Sequence, residues 1–288
     1  MKKPARKTLA GLSIPLLLVL LANAPRALSQ QPAPKASPAT GVDVRAKATE
    51  TAVDASIPGD QSVDKMLAVY SPKVRELDVV LGTLKGELRK GGLGSGSLGN
   101  FITDGLRAQA GLKIGKPVAL AIMNSGGIRR QTIGEGELKA RDIFELLPFE
   151  NALITVEVSG EQLTKLLQMV LSGHAQSGAR IIYRTTPDNK SELVSAQLRD
   201  ATGEKDIDPK ATYTITTIDY IYRVGGNQIS VILHEGKNMK ELGITLRDAI
   251  MNYVKSETAA GREIKPNLDG RFVFDKANSA VPEEARPQ

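Results

Sequence analysis

Residues 119–151 read ALAIMNSGGIRRQTIGEGELKARDIFELLPFEN, and the fold is decided by the order of the parts within this stretch. The apolar run 117–123 has the length and composition of a buried strand. It ends in Asn124-Ser125-Gly126-Gly127, where two glycines let the backbone turn sharply and leave amide groups uncovered by side chains. Ile128 anchors the turn, and Arg129 and Arg130 present guanidinium groups just beyond it. Uncovered amides and an arginine at a strand end suit an anion or ribose-phosphate group. Leu147-Pro148-Phe149 then closes a short helical pattern with an aromatic ring on which a planar apolar ligand could stack. Taken singly, an Asn-Ser-Gly-Gly turn is ordinary chain reversal and a lone Phe is ordinary core. The combination is what points to a site.

The pattern outside this stretch is that of a mixed α and β domain. Val63, Met66, Leu67, Tyr70, Val74 and Leu77 share one helical face, with Ser62 as the expected N-cap and Pro72 as an expected kink. Residues 79–81 read as a strand and 91–96 as a Gly-rich loop. A helix opens at Ser97-Leu98-Gly99-Asn100, buries Leu98, Phe101, Ile102, Leu106 and Ala110, and ends near Gly111. A short helix is expected within 137–146, a strand at 153–158, and a helix at 160–171 with Leu163, Leu166, Leu167 and Val170 inward. Further strands are expected at 181–183, 193–198 and 213–218, a loop at 220–227, an amphipathic helix at 244–254 and a closing strand at 271–274. Helices and strands do not alternate strictly, so the expected class is α+β, an irregular α/β arrangement around one mixed sheet.

The N-terminus reads as an address. Lys2, Lys3, Arg6 and Lys7 precede an apolar run at 9–24, followed by Ala27-Leu28-Ser29. These are the three parts of a cleaved secretory signal, favoured over an uncleaved anchor because the apolar run is short for a span. The expected organisation is a signal peptide at 1–29, a disordered Pro/Ala-rich linker at 30–58, one domain at 59–275 and a disordered tail at 276–288. The expected location is secreted or periplasmic, with no membrane attachment after cleavage. The formal charge of the 288 residues is +6. Lys2, Lys3, Arg6, Lys7 and Arg26 account for five of these charges and residues 1–29 hold no acid, so 6 − 5 leaves +1 for the remainder. That balance gives no reason to expect a nucleic-acid partner. The chain has no cysteine, which excludes disulfides, thiolate catalysis and zinc–thiolate sites. Aromatic residues make up only 4% of the chain, which raises the weight of any at a pocket position.

Taken together, the motifs resemble the C-terminal, substrate-binding domain of the 5'-nucleotidase / UDP-sugar hydrolase family. The resemblance rests on Leu98-Gly99-Asn100-Phe101-Ile102-Thr103-Asp104, on Asn124-Ser125-Gly126-Gly127-Ile128-Arg129, and on Gly136 through Asp142-Ile143 to Pro148-Phe149-Glu150-Asn151. Val156 through Gly160 to Leu163 and Gly225-Gly226-Asn227 complete the series, in family order, over roughly residues 59–275. The resemblance implies a nucleotide or nucleoside ligand. Asn124 and Arg129 would contact ribose or phosphate beside Gly126 and Gly127, Phe149 would stack on the base, and Asn151 could hydrogen-bond it. A second stacking aromatic falls at Ile221 in this chain, so Tyr220 or Tyr222 would serve, next to Gly225, Gly226 and Asn227. Asn227 stands where the family has an acid, and a basic residue the family carries before the Leu-Gly-Asn motif is absent from the run near Gly94.

Hydrolysis in that family uses two divalent metals held by a separate N-terminal metallophosphatase domain. This chain has two histidines, His174 and His234. Neither lies in a metal-binding motif. No catalytic or metal-ligating residue and no cofactor is therefore expected in the chain itself. Two metals would enter only with a separately encoded metallophosphatase partner. His174, just past a helix end where a cation suits the dipole, and His234, in a turn, are expected to be structural. Asp142 and Glu145 are expected to form a solvated face. The first functional reading is therefore the substrate-recognition half of a split hydrolase. The other is a degenerate envelope interaction module without a small-molecule ligand, motivated by the departures at Gly94, Ile221 and Asn227. A third, an independent hydrolase with an unrecognised site, has no nucleophile or metal cluster behind it.

Overall fold

The buried strand expected at 117–123 forms as β3 (Leu120–Asn124), and its side chains from Leu120 to Met123 are wholly excluded from solvent. A computed structural model describes residues 46–224 and 228–278. The signal segment, most of the proline-rich stretch, Gly225, Gly226 and Asn227 lie outside the described residues. Two units part at Pro58/Gly59. In the first, residues 46–58 are exposed and hold no helix or strand. All that follows concerns the second.

Along the chain the second unit runs α1 (Gln61–Glu76), β1 (Val80–Leu84), β2 (Leu88–Arg89), α2 (Gly96–Ile114), β3, β4 (Thr132–Ile133), β5 (Gly136–Lys139) and α3 (Ala140–Leu146). It continues with β6 (Ala152–Ser159), α4 (Gly160–Val170), β7 (His174–Ser177), β8 (Ala179–Thr185), β9 (Ser191–Asp200), β10 (Gly203–Asp206) and β11 (Thr212–Ile218). It closes with α5 (Asp219–Arg223), α6 (Gln228–Glu235), β12 (Lys237–Thr245), α7 (Leu246–Ala259) and β13 (Phe272–Phe274).

The mixed sheet has five strands in the order β12-β6-β11-β3-β7. β11 runs parallel to β3 and antiparallel to β6, with Ile215 opposite Leu120 and Ile218 opposite Leu153. Buried threonines tie the strands: Thr216 Oγ1 donates to Ile154 O at 2.8 Å, and Thr217 Oγ1 to Ile122 O at 2.9 Å. This topology places the end of β3, the end of β11 and the start of β6 at one end of the sheet. Outside the carboxyl ends of such strands is where α/β sheets hold their ligands. A second sheet, β10-β9-β8-β13, and two small two-stranded sheets, β1-β5 and β2-β4, complete the domain. The single sheet expected from sequence is thus accompanied by others. β7, β10 and β12 were not anticipated, because they are short or polar and leave no clear alternation in the sequence.

The helices bury the faces their spacing dictates. Leu163, Leu166, Leu167 and Val170 of α4 are all fully buried, each contributing roughly 1.5–3 kcal/mol of transfer free energy. Ser159 caps this helix by accepting from Gln162 N. α2 runs beyond the expected end at Gly111 to Ile114, where Gly115 supplies the left-handed cap. α7 begins at Leu246, and Ile244 belongs to β12 instead of the helix. The expected loop at 220–227 begins as the short helix α5.

α1 departs most from expectation. It is capped by Asp60, which accepts from Ser62 N, and not by Ser62. Its expected inward face is uncovered: no residue of α1 is buried, and Met66 and Tyr70 are 58% and 61% exposed. Periodicity specified the helix, but of its expected face only Leu77, the C-cap, is partly buried against the core.

The Leu98-Gly99-Asn100 motif has a structural explanation. A Cβ on Gly99 would lie 2.1 Å from the backbone oxygen of Gly94, and Asn100 Nδ2 donates to Asn267 O at 2.7 Å. Gly99→Ala is therefore expected to destabilise the domain by about 1–3 kcal/mol, because a backbone atom cannot step aside as a flexible side chain can. Urea unfolding measures it, and an unchanged midpoint would contradict this packing.

Candidate functional site

Asn124, Gly126, Gly127, Arg129, Phe149, Asn151 and Tyr220 line one cavity of about 350 Å3 at that end of the sheet. The size is at the lower end of the range for small-molecule pockets. The residues arrive from three segments: the end of β3 with its turn, the loop between α3 and β6, and α5. Asn124 ends β3 and passes into a single 3-10 turn, Ser125–Gly127. Neither Gly126 nor Gly127 has positive φ, so the glycines serve by lacking a side chain and not by the sharp reversal expected of them. A Cβ on Gly127 would meet Met123 Cε at 2.4 Å, whereas at Gly126 it would meet only Asn124 Nδ2 at 3.6 Å. Ile128 anchors the turn as expected, buried and with its N–H donating to Ser125 O at 3.2 Å.

Phe149 and Asn151 lie between α3 and β6, and Tyr220 lies on α5 directly after β11. Asp219 joins these segments by accepting from Ala152 N at 3.0 Å. Phe149 and Tyr220 are about half exposed, and both line the cavity. Of the residues weighed for the second aromatic, Ile221 is buried in the core and Tyr222 turns away, its ring stacked on His234 at 4.1 Å. Tyr220 alone of the three faces the cavity; Tyr222 does not.

The two arginines after the turn divide their work. Arg130 Nη1 bonds Asp142 at 3.0 Å and Glu145 at 3.3 Å, so those carboxylates are an arginine clasp and not simply a solvated face. Arg129 has no carboxylate within ion-pair distance among the described residues; its guanidinium carbon sits 5.2 Å from the centroid of Phe149. Among the described residues it is the one charged side chain in the cavity wall. A second cation comes close: Lys90 Nζ donates to Ile128 O at 2.9 Å. The sequence reading looked for a cation near Gly94 and missed Lys90, which the pairing of β2 with β4 carries back to the turn. The Arg89-Lys90 pair ahead of Gly91-Gly92 was the available signal. The hydroxyls of Ser95 and Ser125 are also in hydrogen-bond contact, which brings the N-terminus of α2, without an acid in its first turn, beside the glycine turn.

Asn124 Oδ1 and His174 Nδ1 are buried with no hydrogen-bond partner among the described residues. The two residues face each other across β3 and β7. An unsatisfied buried polar atom costs about 1–3 kcal/mol, which is tolerated where a ligand group or bound water completes it. Burial lowers the imidazole pKa of His174 from its usual 6.5, although a cation would suit its place after a helix. The fold favours the neutral ring, whereas the unfolded chain takes up a proton near 6.5. Stability therefore falls as pH drops from that value to the lowered one. His174→Gln is expected to flatten this window relative to the wild type, as read by urea midpoints at several pH values. Parallel curves would contradict it. His234, expected in a turn, closes α6, its Nδ1 2.8 Å from Ser230 O.

Two larger cavities of about 660 and 780 Å3 lie elsewhere. Neither has a Phe or Tyr in its wall, and their lysines are paired, Lys116 with Glu157 and Lys190 with Asp188. Among the described residues, no group of three or more His, Asp or Glu side chains is placed to hold a metal ion.

Fold and cavity are those of a mixed-sheet domain with a small-molecule-sized cavity at the carboxyl ends of β3 and β11. The 5'-nucleotidase C-terminal domain family matches residues 76–233, more than half of the chain, and the chain belongs to that family. It is 28% identical over 222 residues to the trifunctional nucleotide phosphoesterase protein YfkN of Bacillus subtilis, covering 74% of this chain and 14% of that protein. It is 28% identical over 179 residues to an apyrase of Tabanus yao, covering 55% and 32%. The fold is that of the 5'-nucleotidase precursor of Thermus thermophilus, with a TM-score of 0.62 at 24% identity over 74% of this chain and 43% of that one. The chain thus spans less than half the length of each of these relatives. No helix among the described residues is long and apolar enough to cross a membrane.

Proposed function

We propose that this chain is an exported nucleotide- and nucleoside-recognition domain, acting as the substrate-binding half of a split metallophosphatase. The observation that carries the reading is Arg129, an arginine without an ion partner among the described residues, set over an exposed Phe149 in a cavity of nucleoside size. An aromatic face and a guanidinium at its edge match a base linked through ribose to phosphate. Asn124 and Asn151 offer amides to the sugar and base, and Tyr220 offers a second ring. The catalytic metals would come from a metallophosphatase chain. Export rests on the basic, apolar and small-residue series within residues 1–29. It is checked by the N-terminal residue of the protein recovered outside the cytoplasm, expected near Gln30.

Thermal unfolding against a panel of nucleosides and nucleotides without metal tests the binding. A ligand of the native state stabilises by about 2.7 kcal/mol at a hundred times its dissociation constant. A rise in Tm with adenosine or AMP supports the reading, and no rise with any ligand at millimolar concentration sinks it. The uncovered apolar face of α1 favours a second reading, an interaction module without a small-molecule ligand. A flat panel together with loss of self- or partner association in Leu67→Asp would favour that module.

A further inference from the structure

Residues 147–151 carry Phe149 and Asn151 but belong to no helix or strand. Leu147 leaves α3 with φ −130° and ψ 68°, so the carbonyls that follow are lost to the helical ladder. Arg247 takes them. Its Nε donates to Leu147 O at 3.2 Å, Nη2 to Pro148 O at 3.0 Å and Nη1 to Glu150 Oε1 at 2.7 Å. Its guanidinium carbon lies 3.7 Å from the centroid of the Phe144 ring, and the residue is 6% exposed. The neighbouring Leu246 N donates to Asn151 O at 2.8 Å. Two consecutive residues of α7 therefore hold four of the five loop residues.

The placement runs against the helix's own preference. The second residue of an α-helix sits at the positive end of the macrodipole, where anions are favoured. α7 meets that need separately, through the Thr245–Asp248 capping box. A buried cation at this position, with its donors on the loop and its flat face on Phe144, serves the loop and not the helix. Lysine could not replace it, because one ammonium cannot bridge two carbonyls and a carboxylate in a plane while stacking on a ring.

We infer that Arg247 is a positioning residue of the cavity: it holds residues 147–151 so that Phe149 presents its ring face to the base. This rests on reading the cavity as a nucleoside site. The chain has no tryptophan, so Phe149→Trp places a single tryptophan, excited apart from the tyrosines, at the stacking position. In that background, adenosine binding is followed by quenching, and order of the ligand-free loop by fluorescence anisotropy, at a temperature where circular dichroism shows each variant folded. Arg247→Met is expected to lower the anisotropy and raise the adenosine Kd by about tenfold, since a loop no longer preorganised must be ordered by the ligand. Arg247→Lys is expected to restore neither fully; it carries the test should the Met variant not fold. A folded Arg247→Met with unchanged Kd and unchanged anisotropy overturns the inference, and a fall in melting temperature alone marks a merely structural role. If neither the wild type, by thermal shift, nor the Trp protein binds adenosine or AMP, the nucleoside reading fails, and the anisotropy still decides whether Arg247 orders the loop.

Discussion

Arg271→Met is expected to cost about 3 kcal/mol of stability, the loss typical when one member of a buried ion group is removed. For a domain of this size that is about 6–12 °C in Tm. Arg271 is 6% exposed and is the cation of a three-element clamp. Its Nε and Nη2 bond both oxygens of Asp269 at 2.8 and 3.0 Å, and its Nη1 and Nη2 bond both oxygens of Asp104 on α2 at 3.0 and 3.1 Å. Nη1 also donates to Gln176 O on β7 at 2.9 Å, and the Arg271 carbonyl accepts from Ile181 N on β8. Methionine fills much of the volume but leaves two partly buried carboxylates facing each other. The effect has a pH signature. Burial alone would raise the pKa of Asp269, but hydrogen bonds and charge from Arg271, with the charge of Arg199, outweigh it and hold the pKa below the usual value. A carboxylate with a depressed folded pKa adds stability above its unfolded pKa, about 3.9. That stability is lost as pH falls through the lower folded value. The deficit of Arg271→Met should therefore be full at pH 7 and shrink below about pH 4. A deficit independent of pH would mean that lost packing, not the ion group, is responsible.

Arg129→Ala is expected to separate nucleotides from nucleosides. A charge-assisted hydrogen bond to phosphate contributes about 1.5–3 kcal/mol, so AMP affinity should fall roughly ten- to a hundredfold. Adenosine, with no phosphate, should be nearly unaffected. The guanidinium lies over Phe149 without ligand, and a base stacking on that face must displace it, so removal can even favour the nucleoside slightly. Phe149→Ala should act differently, costing about 1–3 kcal/mol for AMP and adenosine alike, because both share the stacked base. Raising ionic strength should weaken AMP binding in the wild type and much less in Arg129→Ala. Calorimetric titration of both ligands against both variants is the measurement. Equal losses for the two ligands in Arg129→Ala would remove phosphate recognition from Arg129.

The elements that were legible in sequence are those whose burial is one-sided and regular. The β3 run, the α4 leucines and the α2 face each repeat at the period of their structure, and each is buried as its spacing requires. Arg129 and Phe149 could be named because a charged residue after a strand and a Pro-Phe step are local signals, whereas Asn124 and Asn151 were named only through the family resemblance. The strands at 181–183, 193–198 and 271–274 were legible, but their grouping into a second sheet was not, and β10 escaped because it is exposed and polar along its whole length. The choice among Tyr220, Ile221 and Tyr222 was also beyond sequence. Successive helix residues point about 100° apart, so only the docking of α5 decides which one meets the cavity.

By itself the sequence determined an α+β domain, its buried strand and inward helix faces, the family motifs, and the residue types that a nucleotide pocket needs. Those properties are local: periodicity, turn chemistry and short spacing are complete within a dozen residues. Tertiary structure alone decided that Arg130 is spent on Asp142 and Glu145 while Arg129 is left without an ion partner among the described residues, and that Lys90 returns to the turn. It also set Arg247, about a hundred residues away in sequence, to hold the loop of Phe149, and left α1 uncovered. Ion pairing and burial depend on which distant segments meet, and that is settled only when the strands of the mixed sheet take their order.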